Sequence, residues 1–168
     1  LPSDPLITTG SQQAIDLLAR AFIEPGDTVV MERPSYLAAL QVFSLVDADV
    51  LGVPTDEHGM CLPLPAGPAL GRAKLVYTVT NFANPSGVTR SRERRLALLR
   101  WAVANRVFVI EDDPYGELRF SGRPVPALVT LAAEVPGASD WCGYVSTLSK
   151  ILAPGLRVGF ALLPDWVR

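Results

Sequence analysis

The chain has 168 residues, of which 49% are hydrophobic and 19% are charged, as in an ordinary soluble globular domain with a sizeable core. The formal net charge is −2 and the basic residues form no stripe, so nucleic acid is not an expected partner. Cys61 and Cys142 lie far apart and His58 is the single histidine, which argues against a disulfide framework and a zinc site. No apolar run approaches the ~20 residues of a membrane span, and we expect a cytoplasmic protein without a membrane partner.

The first part of the chain alternates helical and strand patterns. Residues 11–24 carry apolar side chains at i, i+3, i+4, i+7 and i+8, which predicts an amphipathic helix. Residues 28–32 follow as a short β-branched strand, and residues 35–46 and 48–53 repeat the helix and the strand. The segment 54–71 is rich in proline and glycine, and it is predicted to be a long connection with room for a short helix.

The second part continues the alternation with more apolar strands. Residues 74–80 and 107–111 are nearly all apolar, as expected when helices cover both faces of a sheet. Residues 143–149 and 156–163 supply two further strands. Residues 121–142, with three prolines, are predicted to form a loop.

Between the two most apolar strands, residues 91–105 predict a helix whose apolar stripe leaves Arg92, Arg95 and Arg106 mostly outside it. The repeated order of strand, helix and strand indicates a predominantly parallel sheet. The sequence therefore predicts an α/β fold, a three-layer α/β/α sandwich with a mostly parallel sheet, as one domain over residues 1–168.

Polar clusters fall where open α/β sheets collect ligands, at helix N-termini and at the C-terminal ends of strands. At the start of the first helix, Gly10 permits a tight turn and is followed by Ser11 and Gln12. This cluster suits a phosphate, and it equally suits a plain helix cap. Tyr36 follows a strand, where its ring either stacks on a planar ligand or packs in the core. Asn84, in the sequence Asn-Pro-Ser-Gly, either offers its amide to a ligand oxygen or belongs to a simple turn.

Three successive carboxylates, Glu111, Asp112 and Asp113, end the very apolar strand at residues 107–111. Burying them without partners would cost several kcal/mol, so at least one of them should meet a cation. A Mg²⁺ ion and a positively charged group on a ligand both satisfy that requirement.

Lys150 lies among hydroxyl residues, with Arg157 seven residues further on. This arrangement suits phosphate binding, and it also suits covalent chemistry of the lysine amine. Lys74, the other lysine, begins a strand and is expected to be solvated.

Together these clusters resemble the motifs of fold-type I pyridoxal-phosphate enzymes, specifically class I and II aminotransferases of the 2-aminoadipate, kynurenine and aromatic subgroup. The six matching motifs are, in chain order, GSQQ (10–13), Tyr36, NPSG (84–87), DDPY (112–115), STLSK (146–150) and APGLRVG (153–159). The resemblance implies the fold of the large domain of these transferases and pyridoxal 5'-phosphate as the cofactor.

The resemblance also implies a role for each matching residue. Lys150 would be the Schiff-base lysine and would carry the proton between the substrate's Cα and the cofactor's C4′ atom. Asp112 would pair with the pyridine nitrogen and keep it protonated. Tyr36 would stack on the ring, while Asn84 and Tyr115 would bind the phenolic oxygen. The residues implied to hold the phosphate are Ser11, Gln12, Thr147, Ser149 and Arg157.

The implied reaction is ping-pong transfer of an amino group between an L-amino acid and a 2-oxo acid, carried out by a homodimer. Family members are longer, so residues 1–168 would be the central part of the large cofactor-binding domain. The N-terminal arm and the C-terminal small domain, which carries the arginine for the substrate's α-carboxylate, would lie outside this chain. The chain alone is therefore expected to be inactive.

Three alternatives remain open. The first is the effector domain of a winged-helix transcriptional regulator, for which the segment GRPVPAL (122–128) is also suitable. Nucleic acid would then be a partner only through a separate winged helix upstream. The second is a pyridoxal-phosphate-dependent lyase on the same fold, and the third is a non-catalytic α/β module without a cofactor.

Overall fold

The strand patterns of the sequence pair into one eight-stranded sheet. The computed structural model describes residues 4–62, 64 and 67–168. The strands are β1 (Leu6–Thr8), β2 (Thr28–Arg33), β3 (Asp49–Asp56), β4 (Gly59–Met60), β5 (Ala73–Val79), β6 (Phe108–Asp112), β7 (Cys142–Thr147) and β8 (Gly159–Leu162). Their spatial order is β1-β8-β7-β6-β5-β2-β3-β4. The central strands β3, β2, β5, β6 and β7 are parallel to one another, while β8, β1 and β4 pair antiparallel at the two edges.

Helices cover both faces of this sheet. The α-helices are α1 (Ser11–Phe22), α2 (Leu37–Leu45), α3 (Pro68–Gly71), α4 (Arg92–Asn105) and α5 (Leu128–Leu131). One apolar cluster joins α1 and α2 to alternate residues of the strands, and a second cluster joins α4 and α5 to the other residues of the same strands. Because successive strand residues point to opposite faces, the two clusters are two separate layers of core. The predicted three-layer α/β/α fold with a mostly parallel sheet is confirmed.

Several predicted boundaries were wrong, each for a local reason. The strand predicted over 156–163 begins only at Gly159, because a 3₁₀ turn covers Pro154–Leu156 and Arg157 is left-handed with φ 50°. The strand predicted over 143–149 ends at Thr147, whose hydroxyl accepts a hydrogen bond from the Ser149 amide. Because β7 ends early and β8 begins late, Ser149, Lys150 and Arg157 lie in an irregular segment between the two strands.

The segments predicted as connections contain more structure than expected. Within residues 54–71, β3 continues to Asp56 and turns at Gly59, with φ 97°, into β4. The region 121–142 contains α5 and two short 3₁₀ helices. The sequence prediction missed β1 altogether, because its three residues pair with β8, about 150 positions further along the chain.

Arg95 is the main departure from the predicted core. We expected it outside the apolar stripe of α4, but its side chain is completely buried. Its guanidinium donates to the carbonyl of Thr80 at 2.9 Å and to Oδ1 of Asn81 at 2.8 Å, and it lies 3.4 Å from Oε1 of Glu111. The expectation that one carboxylate of the acidic cluster meets a cation is confirmed for Glu111, and that cation belongs to the chain itself.

Glu111 is also completely buried, at the C-terminal end of β6. Its carboxylate accepts hydrogen bonds from the Thr80 hydroxyl at 2.6 Å and from the Leu128 amide at 2.7 Å. Burial raises the pKa of Glu111 to about 7, although these hydrogen bonds and Arg95 act in the opposite direction. Arg95 and Glu111 thus connect α4, β6, α5 and the segment that follows β5.

None of the helices in the described residues combines the length and the apolar character that a membrane-crossing segment requires.

We expect Arg95→Met to lower the free energy of unfolding by about 3–5 kcal/mol, because the substitution leaves Glu111 buried without its cation. The matched control is Arg92→Met on the same helix, where an exposed pair with Glu134 should contribute roughly 0–1 kcal/mol. Urea unfolding of both variants measures the difference. Equal losses of stability in the two variants would contradict the role assigned to Arg95.

Candidate functional site

A cavity opens at the C-terminal ends of β5, β6 and β7, which are neighbours in the sheet. Its volume is about 190 Å³. The cavity brings together all ten site residues predicted from the sequence, together with Val79 and Pro114. The ten are Ser11, Gln12, Tyr36, Asn84, Asp112, Tyr115, Thr147, Ser149, Lys150 and Arg157. Residues from six separate segments of the chain therefore meet in one place.

At one end of the cavity, two glycines allow β8 to approach the start of α1. A Cβ atom on Gly159 would lie only 2.5–2.8 Å from backbone atoms of Gly10 and Ser11, so a larger residue would force the two segments apart. Gly10 itself has φ 79°, a conformation that glycine adopts without strain. This close crossing brings Arg157, two residues before Gly159, to the N-terminus of α1.

Hydroxyl and cationic groups line this end of the cavity. The Thr147 hydroxyl lies 3.0 Å from the Ser149 hydroxyl, and Nη1 of Arg157 lies 3.5 Å from the latter. The N-terminal cap of α1, at Gly10, makes no side-chain hydrogen bond to the helix. The Gln12 side chain donates instead to the carbonyl of Ala38 at 3.1 Å, so it links α1 to α2. Free helix amides, hydroxyls and a guanidinium together form an anion-binding environment.

At the opposite end lies the buried carboxylate of Asp112, and only one of its two oxygens has a hydrogen-bond partner among the described residues. Its Oδ2 accepts a hydrogen bond of 2.7 Å from the Tyr77 hydroxyl. Its Oδ1 is buried and has no hydrogen-bond partner among the described residues. Burial raises the pKa of Asp112 to about 7; the Tyr77 hydrogen bond lowers it, and the charge of Asp113 raises it further. A cationic hydrogen-bond donor in the cavity would satisfy Oδ1 and stabilise the ionised form.

Tyr36 caps the N-terminus of α2 and is half-buried beside the cavity. Its pKa is raised, chiefly by burial and then by the charges of Asp112 and Tyr115. Asn84 and Lys150 are exposed at the mouth of the cavity. The cavity therefore also has an aromatic ring, an amide and an amine in its lining.

The chain matches one family model, described as aminotransferase class I and II, over residues 2–168. The chain belongs to this family. Aromatic-amino-acid aminotransferase 1 of Thermococcus litoralis is 42% identical over 98% of this chain and 40% of its own length. A crystal structure of kynurenine aminotransferase from Pyrococcus horikoshii, described as a complex with PMP, superposes with a TM-score of 0.89. That structure is 44% identical and covers 98% of this chain, which in turn covers 41% of it.

Transcriptional regulators are also among the proteins that resemble this chain. The HTH-type transcriptional regulator TauR of Rhodobacter capsulatus is 36% identical over 98% of this chain and 32% of its own length. The chain thus spans about two fifths of the aminotransferase relative and about one third of the regulator. The resemblance stated from the sequence motifs is confirmed at the level of the family.

The members of the acidic cluster have separate environments. Glu111 pairs with Arg95, and Oδ2 of Asp113 lies 2.9 Å from the amide nitrogen of Asn81 and 3.2 Å from the Tyr144 hydroxyl. Only Asp112 lines the cavity. In the described ranges, no three His, Cys, Asp or Glu side chains are grouped so that they could hold a metal ion, and the Mg²⁺ alternative gains no support.

The sequence reasoning missed Tyr77, Val79 and Pro114. Tyr77 lies in a nearly all-apolar strand, and its phenol donates a hydrogen bond to the Asp112 carboxylate of the site. Nothing in the strand's sequence distinguishes Tyr77 and Val79 from their apolar neighbours. Pro114 follows the acidic cluster directly and lies within the DDPY motif.

The raised pKa of Asp112 predicts a pH dependence of stability in the cofactor-free protein. In the folded state Asp112 holds its proton up to about pH 7, whereas an unperturbed aspartate releases it near pH 3.8. The free energy of unfolding should therefore fall as pH rises from 3.8 to about 7. Asp112→Asn should make this decline shallower, as measured by urea unfolding across that range. Asp16→Asn, in the i,i+4 pair with Arg20 on α1, is the control and should leave the decline unchanged. An unaltered pH profile in Asp112→Asn would contradict the prediction.

Proposed function

We propose that this chain binds pyridoxal 5'-phosphate, with Lys150 as the residue that bonds to it, and that the protein is an aminotransferase. One observation carries the proposal. A single cavity contains an amine, a buried carboxylate oxygen with no hydrogen-bond partner among the described residues, and an anion-binding end made of hydroxyls and a guanidinium. Pyridoxal phosphate has the three complementary groups, namely an aldehyde, a pyridine nitrogen and a phosphate.

The phosphate would lie at the N-terminus of α1. The hydroxyls of Ser11, Thr147 and Ser149 and the guanidinium of Arg157 line that end of the cavity. The helix amides and the helix dipole add to the attraction for an anion. Gln12 would contribute its backbone amide, since its side chain binds Ala38.

The ring would lie toward β5 and β6. Oδ1 of Asp112 would accept a hydrogen bond from the protonated pyridine nitrogen. That bond would satisfy an oxygen that is buried and has no partner among the described residues. Tyr36 would lie against the ring face, and Asn84 and Tyr115 would donate to the ring's phenolic oxygen. The fit is therefore supported at both ends of the cavity by groups whose charge and hydrogen-bonding character complement those of the cofactor.

Pyridoxal phosphate supplies an electron sink that stabilises negative charge at the substrate's Cα atom. Asp112 holds a proton on the pyridine nitrogen, and an ionised carboxylate there is more stable when that nitrogen is cationic. The Lys150 amine lies at the cavity mouth, where it serves first as the attachment point and then as the group that moves a proton at Cα. Tyr36 and the anion-binding residues keep the ring in one orientation throughout.

The substrates that we propose are an L-amino acid and a 2-oxo acid, with ping-pong exchange of the amino group between them. The names of the relatives, which include aromatic-amino-acid aminotransferase 1 and 2-aminoadipate transaminase, support this class of donor. We also propose a cytoplasmic homodimer. Lys150 and Arg157 are exposed in the described structure, and a second subunit over this face would shield the cavity from water.

A second candidate function is that of a cofactor-binding effector domain in a winged-helix transcriptional regulator. Its support is the 36% identity to the regulator TauR over nearly the whole chain. The complete Asn-Pro-Ser-Gly and Asp-x-x-Tyr motifs favour the enzyme. Incubating the full-length protein with an L-amino acid and a 2-oxo acid, with a parallel measurement of DNA binding, distinguishes the two: turnover without DNA binding supports the enzyme.

Reduction of the cofactor-loaded full-length protein with borohydride should place a stable pyridoxyl label on Lys150. Mass spectrometry of the digested protein locates the label. Lys74 is the internal control because it is the only other lysine in these 168 residues and lies outside the cavity. Lys150→Ala should lose the label. A label on Lys74, or none on the intact protein, would overturn the proposal.

A further inference from the structure

Tyr77 reaches Asp112 across two neighbouring parallel strands. In the register of β5 and β6, Tyr77 lies beside Ile110, and Val79 lies beside Asp112. Tyr77 and Asp112 are therefore diagonal neighbours on one face of the sheet, a separation that a tyrosine side chain can span. The fold fixes their contact, because any shift of register by one residue would turn one of the two side chains to the other face.

The Tyr77 ring has little freedom to leave this position. It is completely buried, and its ring packs edge-on against Phe43 of α2 with the ring centroids 6.0 Å apart. Burial and the charge of Asp112 raise the pKa of Tyr77 well above its ordinary value, so the phenol stays protonated and acts as a donor. The only hydrogen bond found for this hydroxyl among the described residues is the one to Asp112.

The bond makes the two oxygens of Asp112 unequal. Oδ2 has a neutral donor, whereas Oδ1 has none within the described ranges. A carboxylate that is held at one oxygen cannot rotate freely about its Cβ–Cγ bond. Oδ1 therefore has a fixed direction even before any ligand binds, which is the preorganisation that a binding group requires.

We propose that Tyr77 is a positioning residue, which holds Asp112 through Oδ2 so that Oδ1 remains the acceptor for the pyridine nitrogen and the shared proton stays on that nitrogen. This inference rests on the proposed function. A phenol that merely satisfies its own hydrogen-bonding need in the core would leave the cofactor unaffected when it is removed. If the phenol is a positioning group, its removal would change the protonation of the pyridine nitrogen. Without the Tyr77 donor, the Asp112 carboxylate is a stronger base and competes for the shared proton.

The test compares Tyr77→Phe with the wild type, both as full-length protein loaded with pyridoxal phosphate labelled with ¹⁵N in the ring. We expect the ¹⁵N resonance of the variant to move toward the position of an unprotonated pyridine. We also expect the dissociation constant for the cofactor, measured by equilibrium titration of absorbance, to rise about tenfold, as for loss of one hydrogen bond to a charged group. Neither readout depends on catalytic activity.

Tyr144→Phe is the matched control, because Tyr144 donates to the neighbouring carboxylate of Asp113 at 3.2 Å. Tyr144 lies beside Glu111 in the register of β6 and β7, so its side chain belongs to the opposite face of the sheet from Asp112. This variant should leave the ¹⁵N resonance and the dissociation constant unchanged. Equal changes in both variants would show a general structural effect and overturn the inference.

A second variant covers the case in which Tyr77→Phe does not fold, as judged by circular dichroism. Tyr77→3-fluorotyrosine nearly keeps the shape of the ring and strengthens the phenol as a donor, so the ¹⁵N resonance should move further toward the protonated position. An unchanged resonance, or movement in the unprotonated direction, would overturn the inference. A wild-type protein that binds no cofactor would refute the proposed function itself, whereas normal binding with an unchanged resonance in Tyr77→Phe refutes only the role of Tyr77.

Discussion

The buried carboxylate of Asp112 is the constraint on which the rest of this structure depends. A buried charge at the end of an apolar strand is costly, and among the described residues a single hydrogen bond, from Tyr77, offsets that cost. The adjacent carboxylate of Glu111 is stabilised within the protein, by Arg95, the Thr80 hydroxyl and the Leu128 backbone amide. The contrast between these two adjacent residues supports the proposal that Asp112 takes its partner from a bound ligand.

The anion-binding end depends on a different constraint, the close crossing of β8 over the start of α1. Only glycine at position 159 leaves room for the backbone of Gly10 and Ser11. The crossing holds Arg157 beside the Ser149 hydroxyl, in a segment that is neither helix nor strand. The regular sheet therefore supplies the carboxylate of Asp112, and the irregular backbone between β7 and β8 supplies Ser149, Lys150 and Arg157.

Much of the fold follows from the sequence, because periodicity marks each long strand and helix. The ten predicted site residues follow from the family resemblance of the motifs, and the structure places all ten in the lining of one cavity. What escaped prediction depends on contacts distant in sequence. Helical periodicity placed Arg95 outside the core, because the pattern considers hydrophobicity alone. It gives no information about the Glu111 carboxylate on β6, with which Arg95 pairs. The contact between Tyr77 and Asp112 could not be predicted for a similar reason. The sequence of an apolar strand does not indicate which of its residues contacts a functional group on the next strand. The short β1 has no pattern of its own and exists only through pairing with β8.

A crystal structure of the full-length protein with pyridoxal 5'-phosphate tests the central claim most directly. The account predicts that the pyridine nitrogen lies within hydrogen-bond distance of Oδ1 of Asp112, while Oδ2 keeps its bond to Tyr77. It also predicts the phosphate against Ser149 and Arg157. A ring in the reverse orientation, or a cofactor bound outside the cavity between α1 and β6, would contradict it.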